Sequence, residues 1–113
     1  MAALLILFLL TACGGVAFAL LEARDRALPL RFTVGHGLLG ILAIVLLIDY
    51  DVNHPGHYLA NSAAVIFILT ALGGLLLFAF RSTRQRLPLA VVLLHGVFAL
   101  AAVGLLAGEL FQG

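Results

Sequence analysis

The 113-residue chain is 65% apolar and 10% charged, with a formal net charge of +1 and a mean hydropathy of +1.26. A soluble domain of this length lacks the polar surface to cover so many apolar side chains, so composition points to the lipid bilayer. The chain has no basic cluster, which excludes a nucleic-acid partner. Its single cysteine, Cys13, supports neither a disulfide framework nor a thiolate metal site.

Residues 1–21 are uncharged and apolar, long enough for a first membrane helix. No basic residue precedes Arg24, as the n-region of a signal peptide would require. Leu10-Thr11-Ala12-Cys13-Gly14 looks like a lipoprotein cleavage box, whose use would remove this span. Residues 22–26 with Arg31 form a charged connection. Pro29 falls in the first turn of a second helix over about 28–48, where its missing N–H is not needed. Residues 49–58 are polar, contain Pro55-Gly56 and read as a loop. A third helix covers about 59–80, residues 81–86 form a basic connection, and Pro88 opens a fourth helix that ends near 107 before a short tail. All six basic residues (Arg24, Arg26, Arg31, Arg81, Arg84 and Arg86) fall in two connections on one side. The positive-inside rule places those connections in the cytoplasm and both termini and the 49–58 loop outside. The expected location is the bacterial inner membrane.

Sliding the chain by 59 residues aligns its halves without a gap, with 14 of 54 aligned positions identical. Phe8 meets Phe67, Thr11 meets Thr70, Gly14-Gly15 meets Gly73-Gly74, Pro29 meets Pro88 and His36-Gly37 meets His95-Gly96. Shared hydrophobicity does not match Thr, Gly, Pro and His, so an internal repeat is expected. The predicted fold is an all-α bundle of four transmembrane helices: a single membrane domain over 1–113, made of two tandem helical hairpins (about 1–54 and 60–113). The halves are related by a pseudo-twofold axis along the membrane normal, with helices two and four across the diagonal. Cys13 aligns with Leu72 inside the third helix, which argues for retention of the first span.

Each half carries one histidine about two turns inside a span, and an ionisable residue at membrane depth is a functional candidate. On the same helix face, His36 is followed by Gly40, Ala43 and Leu47, and His95 by Ala99, Ala102 and Leu106. Small residues leave room for a flat group or for another helix. Gly14, Gly15, Gly73 and Gly74 lie mid-span in the other two helices and are expected to admit the edges of a macrocycle. Two neutral imidazoles on opposite faces complete a six-coordinate haem iron, and a bundle core is a normal place for such a site. Propionates would face the arginine end, where Arg31, Arg24, Arg84 or Arg86 could neutralise them.

This pattern resembles small four-helix bis-histidine b-type membrane cytochromes, cytochrome b561-like in the loose sense. The resemblance covers the four spans, His36 with His95, and the opposing glycines. It implies haem b and transmembrane electron transfer, commonly with a quinone. Families of that kind often bind two haems through four membrane histidines, whereas here two histidines lie within spans. The expected function is electron carriage within or across the membrane, as a free carrier or a small subunit of a larger redox complex. No nucleophile–base pair or nucleotide motif marks an enzyme. Two alternatives stand beside it. A cofactor-free structural or assembly subunit would use the histidines for interhelical hydrogen bonds, which a duplication copies as readily as ligands. A metal-handling protein would use His54 and His57, since imidazole and the nearby carboxylates Asp49 and Asp51 suit copper or zinc.

Overall fold

The computed structural model describes residues 1–24 and 29–112. Four helices follow in order: α1 (Ala2–Ala23), α2 (Leu30–Asn53), α3 (Tyr58–Ser82) and α4 (Leu89–Gln112). At 1.5 Å per residue each is about 33–38 Å long, enough to cross a hydrocarbon core of about 30 Å. All four are apolar enough to span a membrane, and the bundle measures 43 × 20 × 19 Å. Large apolar side chains such as Ile6, Leu42, Leu72 and Leu93 stand exposed on the outside of all four helices, as lipid contact requires.

The prolines set two helix starts. Pro29, with φ −55° and ψ 143°, is the N-cap of α2 rather than part of its first turn, and its carbonyl accepts from the Phe32 N–H at 3.1 Å. The Pro88 carbonyl accepts from Val91 and Val92 in the same way. The sequence-predicted start at residue 28 lies outside the described residues.

Two predicted boundaries are corrected, and both bear on the end of the bundle opposite the arginines. The expected 49–58 loop shrinks to the connection 54–57, because α2 continues through Asp49, Tyr50 and Asp51. Asn53 Nδ2 donates back to the Asp49 carbonyl at 2.8 Å and prolongs the helix. It stops where Pro55 disfavours helical geometry at His54, which sits at φ −133° and ψ 69°. Gly56 completes the reversal at φ +97°. The expected tail is helical through Gln112. Gly108 does not stop α4 but lets α3 come close, since a Cβ there would lie 3.2 Å from Leu59 Cδ1.

Backbone packing joins α1 to α2, α2 to α3, α3 to α4 and α4 to α1, with α3–α4 the most intimate pair. Among the described residues, α1 and α3 face each other across one diagonal, and α2 and α4 across the other, as expected. The core lies toward the 54–57 end. Ala60, Ala63 and Ala64 of α3 meet Ala43 and Leu47 of α2 and Ala102, Val103 and Leu106 of α4. Lipid is as apolar as leucine, so close approach through small residues, rather than water exclusion, holds these helices together.

Across the α1–α3 diagonal, Phe8 and Phe67 stack with ring centroids 3.8 Å apart and planes 9° apart. They form the floor between the core and an open upper half. Phe67→Ala should cost about 2 kcal/mol, almost all of it from the cavity left behind. A titration with denaturing detergent should show that loss and a partial recovery in Phe67→Leu.

Candidate functional site

Above the phenylalanine floor the four helices part around a cavity of about 480 Å³. That is within the usual range for small-molecule pockets, roughly 300–1,000 Å³. Its walls are apolar apart from His36, His95, Thr11, Thr33, Thr70 and, at the arginine end, Glu22 and Arg81. The divide follows side-chain size. Alanines and leucines close the lower half, whereas in the upper half glycines bring the helices no bulk with which to fill the middle.

His36 projects from α2 and His95 from α4, and across that diagonal their ring centroids are 6.4 Å apart with planes at 70°. Each ring lies against the opposing glycine pair of the neighbouring helix. A Cβ on Gly15 would come within 3.1 Å of His36 Cε1, and one on Gly74 within 3.0 Å of His95 Cε1. Gly14 and Gly73 face the Nδ1 atoms at 3.7 and 3.8 Å. The structure sets these glycines against the imidazoles: the His36 ring lies beside Gly14 and Gly15, and the His95 ring beside Gly73 and Gly74. At Gly15 and Gly74 an added Cβ would force the ring to give by a few tenths of an ångström, whereas at Gly14 and Gly73 it would make ordinary van der Waals contact.

Hydrogen bonding then defines one ring chemically. His95 Nδ1–H donates to the Thr70 main-chain carbonyl at 2.8 Å. A carbonyl only accepts, so the proton of the neutral ring is on Nδ1 and the lone pair on Nε2. The Thr70 hydroxyl donates to Ile66 O at 2.8 Å, one turn back, and Thr11 repeats that bond to Leu7 O at 2.8 Å. Phe18 stands edge-on to His36 at 5.3 Å.

The remaining predicted residues separate by position. Gly40 and Ala99 line the cavity, with Gly40 close to Thr11 Cγ2. Ala43 and Ala102 do not line it; both are fully buried in the core below. Arg31 is exposed in the first turn of α2, its guanidinium 5.2 Å from the Phe32 ring centroid. Arg24, Arg84 and Arg86 are exposed as well and also off the cavity wall. The arginine on the wall is Arg81, 3.5 Å from Glu22. Sequence reasoning missed it, although Glu22 and Arg81 are themselves 59 residues apart, an opposite-charge pair in the same register as Phe8–Phe67 and His36–His95.

At the far end, His57 Nδ1–H donates to Glu109 Oε1, tying the 54–57 connection to α4. His54 Nδ1–H donates to Tyr50 O at 3.0 Å, and its ring stacks on Tyr50 at 4.2 Å. The His54 and His57 centroids are 6.3 Å apart. Among the described residues no group of three or more His, Cys, Asp or Glu side chains is arranged to hold a metal ion. No family model matches the chain, and neither curated proteins nor solved structures show a significant match to it.

Proposed function

We propose that this chain is a b-type haem-binding membrane protein that carries electrons within or across the bilayer, with His36 and His95 as axial ligands. The observation that carries the reading is the facing pair of imidazoles. With a metal–nitrogen distance of about 2 Å and a ring radius of about 1 Å, two rings on one metal have centroids about 6 Å apart. The rings stand at 6.4 Å. Metal-binding histidines commonly donate the other ring N–H to a backbone carbonyl, which fixes tautomer and direction, and His95 does so to Thr70.

The other residues have supporting tasks. Gly14, Gly15, Gly73 and Gly74 let the rings lie flat on α1 and α3. Phe18 restricts the tilt of His36, and Phe8 with Phe67 separates the cavity from the packed core. When bound, haem supplies one-electron redox chemistry; the chain holds it, orients it and keeps it in apolar surroundings. The internal 59-residue correspondence supports two tandem hairpins, each donating one ligand. The distribution of arginines supports placing the cavity nearer the cytoplasmic face. Four helices joined by short connections suit a small subunit of a larger redox assembly.

The test is a reduced-minus-oxidised optical spectrum of the detergent-solubilised chain, with a pyridine haemochrome assay. A low-spin b-type spectrum at about one haem per chain is expected, because two ligands serve one iron. No Soret band after expression with ample haem would refute the reading and leave the histidines as a packing device. In the same assay His54→Ala and Glu109→Gln should keep full haem content, because both residues lie at the opposite end of the bundle. Loss of haem in either would move the site to that end.

A further inference from the structure

His36 and His95 are each followed by a glycine, and both glycines line the cavity. Nothing lies within 4 Å of a Cβ built on Gly37 or Gly96, so close helix packing does not account for them. Glycine inside a helix is destabilising relative to alanine. Their place on the cavity wall does account for them. Gly37 is exposed although it lines the cavity, and so are Leu38 and Ile41 beside it and Leu75 of α3. A residue that both lines a cavity and is exposed marks an opening.

The openings lie between the two hairpins rather than within them. Gly14 faces the His36 ring and Gly73 the His95 ring, so those flanks of α1 and α3 belong to the contacts α1–α2 and α3–α4. Successive residues of a helix are about 100° apart. Leu75 is therefore on the flank of α3 away from Gly73, turned to α2, and Val16 is on the flank of α1 away from Gly14, turned to α4. Packed antiparallel helices turn flanks of the same sense toward each other, so Gly37 faces the Leu75 side of α3 and Gly96 the Val16 side of α1. One window opens between α2 and α3. The other opens between α4 and α1, where Val16 and Leu100 are likewise both exposed and on the cavity wall. Gly37 and Gly96 are each about 10 Å along their helices, so both windows open on hydrocarbon.

The seating of the rings aims a flat ligand at these windows. His36 leaves α2 but its ring lies on α1, and His95 leaves α4 but its ring lies on α3. The line joining the rings runs from one hairpin to the other. A planar group held by both rings stands across that line, between the hairpins, with its edges toward the α2–α3 and α4–α1 gaps. We infer that Gly37 and Gly96 hold open two membrane-facing windows that take the edges of the flat molecule clasped between the hairpins. The site then accepts apolar bulk on the ligand's edge, because lipid rather than a wall lies beyond it. This rests on the haem reading, in which the flat molecule is the macrocycle.

The experiment titrates the full-length, haem-free protein in detergent with ferric haem b and with haem o, which carries a long isoprenoid chain on one edge. Wild type should bind the two with affinities within about tenfold of each other. Gly37→Phe and Gly96→Phe should each weaken binding of haem b by about tenfold or more, because the phenyl group fills a window. Gly35→Phe and Gly104→Phe are the controls. They lie on the same two helices, a Cβ at either meets nothing within 4 Å, and neither residue lines the cavity. Both should change binding by less than about twofold. Circular dichroism and melting temperature identify any variant that fails to fold, in which case the comparison of the two haems on wild type decides. Binding of haem o more than about tenfold weaker than haem b, equal losses in window and control variants, or no loss in the window variants would overturn the inference and leave the haem reading standing. Failure of wild type to bind haem b would overturn both.

Discussion

His36→Ala and His95→Ala should each abolish the low-spin b-type spectrum, with bound haem falling to less than about a tenth of wild type, because six-coordination needs both imidazoles. The equality of the two losses matters as much as their size. The rings face each other across one diagonal at 6.4 Å, each seated on its own glycine pair, so neither is a spare. An alanine at either position leaves one imidazole in the cavity without the ring that faces it across the diagonal. Pyridine haemochrome assays on membranes matched for protein content measure the effect. Full retention in one variant and loss in the other would show that one histidine serves only to pack the helices. Retention in both would refute the site.

Gly74→Leu should remove haem as completely as His95→Ala while leaving His95 in the sequence. A Cβ at Gly74 already meets His95 Cε1 at 3.0 Å, and the rest of a leucine side chain would occupy the place of the ring. The displaced imidazole loses its bond to the Thr70 carbonyl and with it the direction of Nε2. Overpacking of this kind costs about 1–3 kcal/mol in a well-packed interior, so the helices should remain assembled. Gly74→Ala is the graded case: the ring must give by a few tenths of an ångström, and haem should remain with a shifted spectrum that reports altered axial geometry. Gly35→Ala is the contrast, because nothing lies within 4 Å of a Cβ there. Removing a flexible helix residue should leave haem content unchanged and stabilise the helix by about 0.5–1 kcal/mol. Thermal unfolding in detergent separates the two. Normal haem content in Gly74→Leu would mean that the ring does not rest on α3 when haem is bound.

Much of the frame was legible in the residue order. Runs of some twenty apolar residues, broken by arginines and prolines, can satisfy their backbone in lipid only as helices, so four spans and their sequence positions follow from local composition. The register of 59 residues also brought out the pairs that later proved to face each other, Phe8 with Phe67 and His36 with His95. Helix ends were less legible. Residues 49–53 are polar, yet stay helical until Pro55 intervenes. Gly108 reads as a terminator, yet lies inside α4, where it admits Leu59.

What the chain determined by itself is a membrane-spanning helical bundle with one histidine at matched depth in each half, because hydropathy and spacing are properties of neighbours in sequence. Tertiary structure decided what each small or charged residue faces. Periodicity places a residue on a helix face but does not say which helix will cover that face. So Gly15 and Gly74 turned out to cradle imidazoles, Ala43 and Ala102 to fill the core, Arg31 to stand outside, and Arg81 with Glu22 to close the charged end of the cavity.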